Sequence, residues 1–152
     1  MPPFLLAELR DSVQLFIRRF GLLEQTVTPC GYALSLSQVF ALQELETARA
    51  LSVTELADRL KLERSSVSRL ADGLVKAGFV DRQVNETNRR EVRLTLTDKG
   101  VRTIGNVRRQ SIGYYESVIG HLTDDDKRRI ADGFRLFAEA LERRDAGKDV
   151  HP

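Results

Sequence analysis

The chain has 152 residues and a formal net charge of +2, and its 41% hydrophobic and 30% charged residues are typical of a soluble globular protein of one domain. The N-terminal MPPFLLAELR is soon interrupted by charge, and no apolar run approaches the roughly 18 residues of a membrane span, so we expect neither export nor membrane insertion. Cys30 is the only cysteine, which excludes an intrachain disulfide and a cysteine zinc cluster and fits a cytoplasmic protein.

The N-terminal segment has the pattern of an amphipathic helix. Apolar residues recur at intervals of three and four from about Phe4 to Glu24, and the stripe has no obvious partner nearby in the sequence. Gly21 should weaken the last turn, and Thr28-Pro29-Cys30-Gly31 should stop any helix.

Three shorter helices are predicted next. The Ser35–Gln38 segment has the spacing of a capping box, which predicts a helix over Leu36–Glu46. A second box over Ser52–Glu55 predicts a helix that ends near Leu60. The third helix runs from about Arg64 to Ala77 with apolar residues on one face, and Gly78 is placed to cap its C-terminus.

A hairpin and two longer helices complete the chain. The segments FVDRQV and VRLTLT flank the polar NETNRR, and VRLTLT alternates between apolar and polar residues, so they predict a two-stranded hairpin with a long charged tip. Thr97 is the predicted N-cap of a helix that runs from about Asp98 to Ile119 and is broken by Gly120 and His121. Thr123 then caps a final helix, and the residues from about Asp145 are expected to fray.

Three short helices followed by a hairpin describe a winged helix-turn-helix, whose second helix of the pair enters the major groove of DNA. The charge distribution agrees, because residues 59–109 contain thirteen Lys or Arg and only six Asp or Glu. On the polar face of the Arg64–Ala77 helix, Arg64 and Arg69 can donate two hydrogen bonds to guanine. The small side chains of Ser65, Ser66 and Ser68 can reach bases or phosphates.

The hairpin is predicted to contact DNA in a different way from the helix. Arg89 and Arg90 lie at its tip, where a narrow minor groove would attract an inserted guanidinium. Arg82 and Arg93 lie on the strands and are better placed for phosphates, which position a protein without reading sequence.

The chain resembles the MarR family of bacterial regulators over nearly its whole length. Members carry a wing pattern of Asp-x-Arg, five residues, Leu-Thr and a glycine three positions further on. Here the pattern is Asn88-Arg89-Arg90, five residues, Leu96-Thr97 and Gly100. The resemblance implies that Arg90 is the wing arginine and that Arg64 to Arg69 lie on the recognition helix. Asn88 replaces an aspartate that braces the wing in the family, and asparagine accepts a hydrogen bond without bringing a charge.

The resemblance also implies a homodimer, because family dimers interlock their first helix with the last two helices of the partner. We therefore expect a mainly α protein with a small β-hairpin wing, a single domain over residues 1–152. Its helical dimerisation region would comprise residues 4–24 and 98–145, and its DNA-binding region residues 34–97. The operator should be a pseudo-palindrome, because a two-fold dimer sets its recognition helices about 34 Å apart.

Other candidate sites each have a structural alternative. Cys30 is an oxidant sensor or a small structural thiol, and we favour the thiol because no nearby residue is poised to lower its pKa. His121 and His151 stand apart, so neither a metal site nor a cofactor is expected. Six aromatic residues either line a small-molecule effector pocket or pack in the core: Phe16, Phe20, Tyr32, Phe40, Tyr114 and Tyr115.

Three functions are considered for this sequence. The leading one is a ligand- or oxidant-responsive repressor that binds double-stranded DNA, although a serine- and arginine-rich face can also be plain solvated surface. The alternative is a winged-helix module that binds a protein partner, for which the polar face lacks an apolar patch. An enzyme is not expected, because the sequence shows no clear carboxylate pair, no phosphate-binding glycine loop and no nucleophile elbow.

Overall fold

The computed structural model describes residues 3–22, 33–84, 87–88 and 91–148. The fold is mainly α with a small antiparallel sheet, as predicted. In chain order its elements are α1 (Pro3–Phe20), α2 (Leu36–Ala48), β1 (Ala50–Ser52), α3 (Val53–Leu60), α4 (Arg64–Lys76), β2 (Val80–Val84), β3 (Val92–Leu96), α5 (Asp98–Ile119) and α6 (Asp124–Lys148).

Side-chain caps set where most of these helices begin. The Ser35 capping box is present in both directions, because the Ser35 hydroxyl accepts from the Gln38 amide and Gln38 Oε1 accepts from the Ser35 amide. Thr97 and Thr123 each accept a hydrogen bond from the backbone amide three residues later. The predicted starts of α2, α5 and α6 are therefore confirmed.

Both α1 and α3 differ from the predicted pattern at one end. Gly21 has a φ of +83° and terminates α1 at Phe20, before the predicted Glu24, which lies outside the described residues. At the start of α3 the Ser52 hydroxyl accepts from the Glu55 amide, but the Glu55 carboxylate lies 3.8 Å from Arg93 instead of completing the box.

The sheet contains one strand more than the sequence predicted. β1, β3 and β2 lie in that order, with Ala50 opposite Thr95 on one side of β3 and Arg82 opposite Leu94 on the other. The predicted hairpin of β2 and β3 is confirmed, and the strand that the sequence did not reveal is β1, which has only three residues between two helices, too few to show an alternating pattern.

The described chain divides into two compact units, residues 1–111 and 112–152. In the first unit, the largest fully buried side chains include Leu42, Leu56, Leu74, Leu94 and Ile104, which come from α2, α3, α4, β3 and α5. One core thus fixes the helix-turn-helix, the sheet and the start of α5 together.

The second unit contains the last part of α5 and the whole of α6. None of the described residues of α6 is buried, although they include the stripe Ile130, Phe134, Phe137 and Leu141. Across the described ranges, no helix is long and apolar enough to cross a membrane.

Candidate nucleic-acid interface

α4, the predicted recognition helix, presents its cations to solvent. Its inner face buries Val67, Ala71 and Leu74, which fixes the rotation of the helix about its axis. Arg64 and Arg69 therefore lie on the exposed side, and neither makes an ion pair or a side-chain hydrogen bond within the part of the chain that the structure describes. Their guanidinium groups are available to an external anion.

The three predicted serines differ in exposure. Ser65 is exposed, whereas Ser66 and Ser68 are half-buried beside the apolar face. The structure thus brings Ser65 together with the two arginines on the outer surface, and Ser66 and Ser68 lie at its margins.

α3 and α4 end in the same backbone motif with different residues. The amide of Leu62 donates to Ala57 O at 3.1 Å and that of Phe79 donates to Leu74 O at 3.0 Å, bonds that span six residues and close a Schellman motif. The left-handed position is occupied by Gly78 in α4, as predicted, but by Lys61 in α3, with a φ of +54°.

The N-terminus of α5 holds the C-terminal end of α4. The Thr97 hydroxyl donates to Gly78 O at 2.6 Å, the Thr97 amide donates to Phe79 O at 3.0 Å, and Lys99 Nζ donates to Ala77 O at 2.7 Å. Three successive carbonyls that α4 cannot satisfy itself thereby receive partners. We call these contacts the α4–α5 clasp.

The wing consists of β2, β3 and the residues between them. Arg82 of β2 forms an ion pair with Asp72 of α4. Arg93 of β3 lies 3.2 Å from Glu91 and 3.8 Å from Glu55, and its Nη1 donates to Ala50 O at 3.4 Å. Both strand arginines predicted to contact phosphates therefore have partners inside the protein.

The tip of the wing is described only in part. Asn88 is exposed and its carbonyl accepts from the Glu91 amide at 2.9 Å. Arg89 and Arg90 lie outside the described residues, so their predicted role stays a prediction.

The remaining candidates are scattered over several elements. Phe16 and Phe20 stack with their ring centroids 4.9 Å apart in α1, Tyr114 and Tyr115 meet edge to face at 5.7 Å in α5, and Phe40 is exposed on α2. Cys30 and Tyr32 lie outside the described residues, and the effector pocket stays a prediction. Among the described side chains, no group of three His, Cys, Asp or Glu is placed to hold a metal.

Sequence reasoning missed the pairing of Asp72 with Arg82. The alternation within FVDRQV contained the signal, because it puts Val80 and Arg82 on one side of the strand. Sequence reasoning likewise missed Lys99, which donates to the carbonyl of Ala77, twenty-two residues earlier.

A model of the MarR family matches residues 34–92. The HTH-type transcriptional regulator PrsX of Escherichia coli is 29% identical over 99 residues, which cover 64% of this chain and 60% of PrsX. The HTH-type transcriptional repressor MdtR of Bacillus subtilis is 29% identical over 119 residues, 78% of this chain and 72% of MdtR. The chain thus spans 60% of the length of PrsX, and these relatives are transcription regulators rather than enzymes.

Solved structures show the same fold. A MarR family protein from Bacillus stearothermophilus superimposes with a TM-score of 0.77 at 23% identity, over 93% of this chain and 99% of that one. The PcaV transcriptional regulator of Streptomyces coelicolor, in complex with its natural ligand, gives a TM-score of 0.60 at 21% identity, over 92% and 93% of the two chains.

Proposed function

This chain belongs to the MarR family of transcriptional regulators, and on that basis we propose that it is a homodimeric repressor that binds a pseudo-palindromic operator in double-stranded DNA. One observation carries the proposal: Arg64 and Arg69 lie on the outer face of α4 without an ion-pair partner among the described residues, in the compact unit that also carries the wing. In this proposal α4 contacts the major groove of the DNA. The wing tip, which carries Arg89 and Arg90, contacts the adjacent minor groove.

The exposed apolar faces of the terminal helices support the dimer. Leu6 and Leu9 of α1 are 54% and 45% exposed, and Phe134 and Phe137 of α6 are 53% and 40% exposed. Large apolar side chains in such continuous stripes are typical of a surface that another chain covers. A second copy would cover them and repeat the DNA-binding surface at the spacing of about one helical turn that two half-sites need.

The repressor role and the response to a small molecule are drawn from relatives. MdtR is named a repressor, and PcaV was solved with its natural ligand. A ligand that binds better when the two recognition helices are misaligned would release the operator, because both helices must fit one duplex.

The alternative of a protein-interaction module receives no support from the exposed side of α4. Arg64, Ser65 and Arg69 are polar there, whereas a protein interface has an apolar centre.

The experiment is a titration of the purified chain, followed by fluorescence anisotropy, with labelled DNA from upstream of its own gene. The control duplex has the same composition in scrambled order, at the same moderate salt. We expect a preference for the upstream duplex of at least about a thousandfold. Equal affinity for both duplexes would reject sequence-specific binding. Repression is tested separately with a reporter gene placed behind the upstream DNA, and reporter expression that increases when the protein is produced would reject it.

A further inference from the structure

The strand register directs Arg82 toward α4. Residues directly opposite each other in an antiparallel pair share a face of the sheet, and Arg82 lies opposite Leu94, which is fully buried. Val80, two residues earlier on the same face, is also buried. Arg82 therefore belongs to the helix-covered face of the sheet, at the edge strand, where its guanidinium reaches past the core to α4.

Asp72 is the acceptor at the other end of this contact. It lies one turn after Ser68 and three residues after Arg69, so it continues the polar face of α4. An unpaired carboxylate there would repel a phosphate backbone. Arg82 neutralises it and at the same time joins the recognition helix to β2 of the wing.

We propose that Asp72 and Arg82 are a positioning pair, which sets the wing against the recognition helix so that both enter adjacent grooves of one duplex, and that Arg82 binds Asp72 and not a DNA phosphate. The inference rests on the proposed DNA-binding function. Its competitor is the role predicted from the sequence, in which Arg82 is a phosphate ligand.

The position of this pair also makes it suitable for a test. Both side chains are more than 40% exposed, and exposed ion pairs contribute little to the stability of a fold. Asp72→Asn is isosteric, and Arg82→Gln shortens a side chain that is 42% exposed, so neither change removes a buried apolar group. Variants of the pair should therefore fold, and a change in DNA binding can be attributed to the position of the wing.

The test compares Asp72→Asn, Arg82→Gln and the double variant on a duplex that the wild-type chain selects from a random pool. Asp81→Asn is the matched control, because Asp81 is an exposed carboxylate on the neighbouring position of β2, and its side chain points to the opposite face. Anisotropy gives the affinity at several salt concentrations. Dimethyl sulfate reports major-groove contacts at guanine N7, and hydroxyl radical reports protection of the minor groove.

A positioning pair predicts that Asp72→Asn weakens binding about three- to tenfold and that the double variant is no weaker than either single one. Guanine protection by α4 should persist while minor-groove protection falls, and the salt slope should stay that of the wild type. The proposal is overturned if Asp72→Asn binds as tightly as Asp81→Asn or tighter. It is also overturned if Arg82→Gln alone reduces the salt slope by about one, the sign of a lost phosphate contact. If the wild-type chain selects no duplex, the proposed function fails instead.

Discussion

Gly100 in the first turn of α5 lies directly against the carbonyl oxygen of Phe79, so that a Cβ at position 100 would overlap that oxygen. The same carbonyl accepts the hydrogen bond from the Thr97 amide. The Leu96-Thr97 and Gly100 pattern thus has a physical cause: only a residue without a side chain lets α5 start this close to the end of α4. The α4–α5 clasp depends on this approach.

Replacing Gly100 by alanine should destabilise the fold by about 1 to 3 kcal/mol, because the backbone of residue 79 or the start of α5 has to move. Urea unfolding followed by circular dichroism measures the change. At Gly113, in the same helix, a Cβ would meet no described atom within 4 Å outside its own turn of helix. Gly113→Ala should therefore stabilise the chain by about 0.5 to 1 kcal/mol, and equal effects of the two substitutions would contradict the close approach.

The two Schellman motifs predict that introducing glycine at one left-handed position and removing it at the other have opposite effects on stability. Lys61 occupies a left-handed position that costs a residue with a Cβ about 1 kcal/mol, so Lys61→Gly should raise the free energy of unfolding by about that amount. Gly78→Ala should lower it by about 1 to 2 kcal/mol. The space at Gly78 is not the cause, because the nearest neighbour of a Cβ there, Lys99 Cδ, would lie at an ordinary 3.7 Å. Thermal or urea unfolding of both variants tests these two predictions. A loss of stability in Lys61→Gly would show that contacts of the lysine side chain stabilise the fold by more than the left-handed backbone costs.

Removing either guanidinium from the outer face of α4 should weaken DNA binding without affecting the fold. Arg64→Ala and Arg69→Ala are each expected to cost about 1 to 3 kcal/mol of binding free energy where the arginine reads a guanine. Anisotropy with the selected duplex and with single-base variants of it measures both the loss and the relaxed preference at one position. Arg128→Ala, an exposed arginine of α6, serves as the control and should bind like the wild type. A uniform loss on all duplexes would reassign that arginine to the phosphate backbone.

Local rules predicted most of the fold. The starts of α2, α5 and α6 follow from hydroxyl side chains that accept backbone amide bonds, and those rules involve residues three positions apart. β1 escaped prediction because its pairing with β3 is forty-five residues away at Ala50 and Thr95, and three residues carry no period of their own.

The candidate site was predicted less completely for the same reason. Arg64 and Arg69 were identified from the face of one helix, and their exposure agrees with that reasoning. The partners of Arg82 and Arg93 depend on how the sheet packs beside α3 and α4. The sequence therefore could not distinguish an arginine that is available to a DNA phosphate from one that forms an ion pair within the protein. The ion pair of Asp72 with Arg82 was not predicted for that reason.

The apolar stripe of α6 leads to a final prediction about assembly. Phe137 is 40% exposed, so Phe137→Asp removes little from the core of the single chain but places a charge in the proposed contact with a second copy. Sedimentation velocity should show a dimer for the wild type and a monomer for this variant at micromolar concentration, with unchanged helix content. Arg128→Asp places the same charge on the opposite side of α6 and should remain dimeric.

If the dimer positions two recognition helices on one duplex, the monomeric variant should bind a full palindrome no better than a single half-site, because the second contact is no longer linked to the first. A variant that stays dimeric would move the interface away from this stripe, whereas a monomer that still distinguishes full sites from half-sites would show that the operator is not read by a preformed dimer.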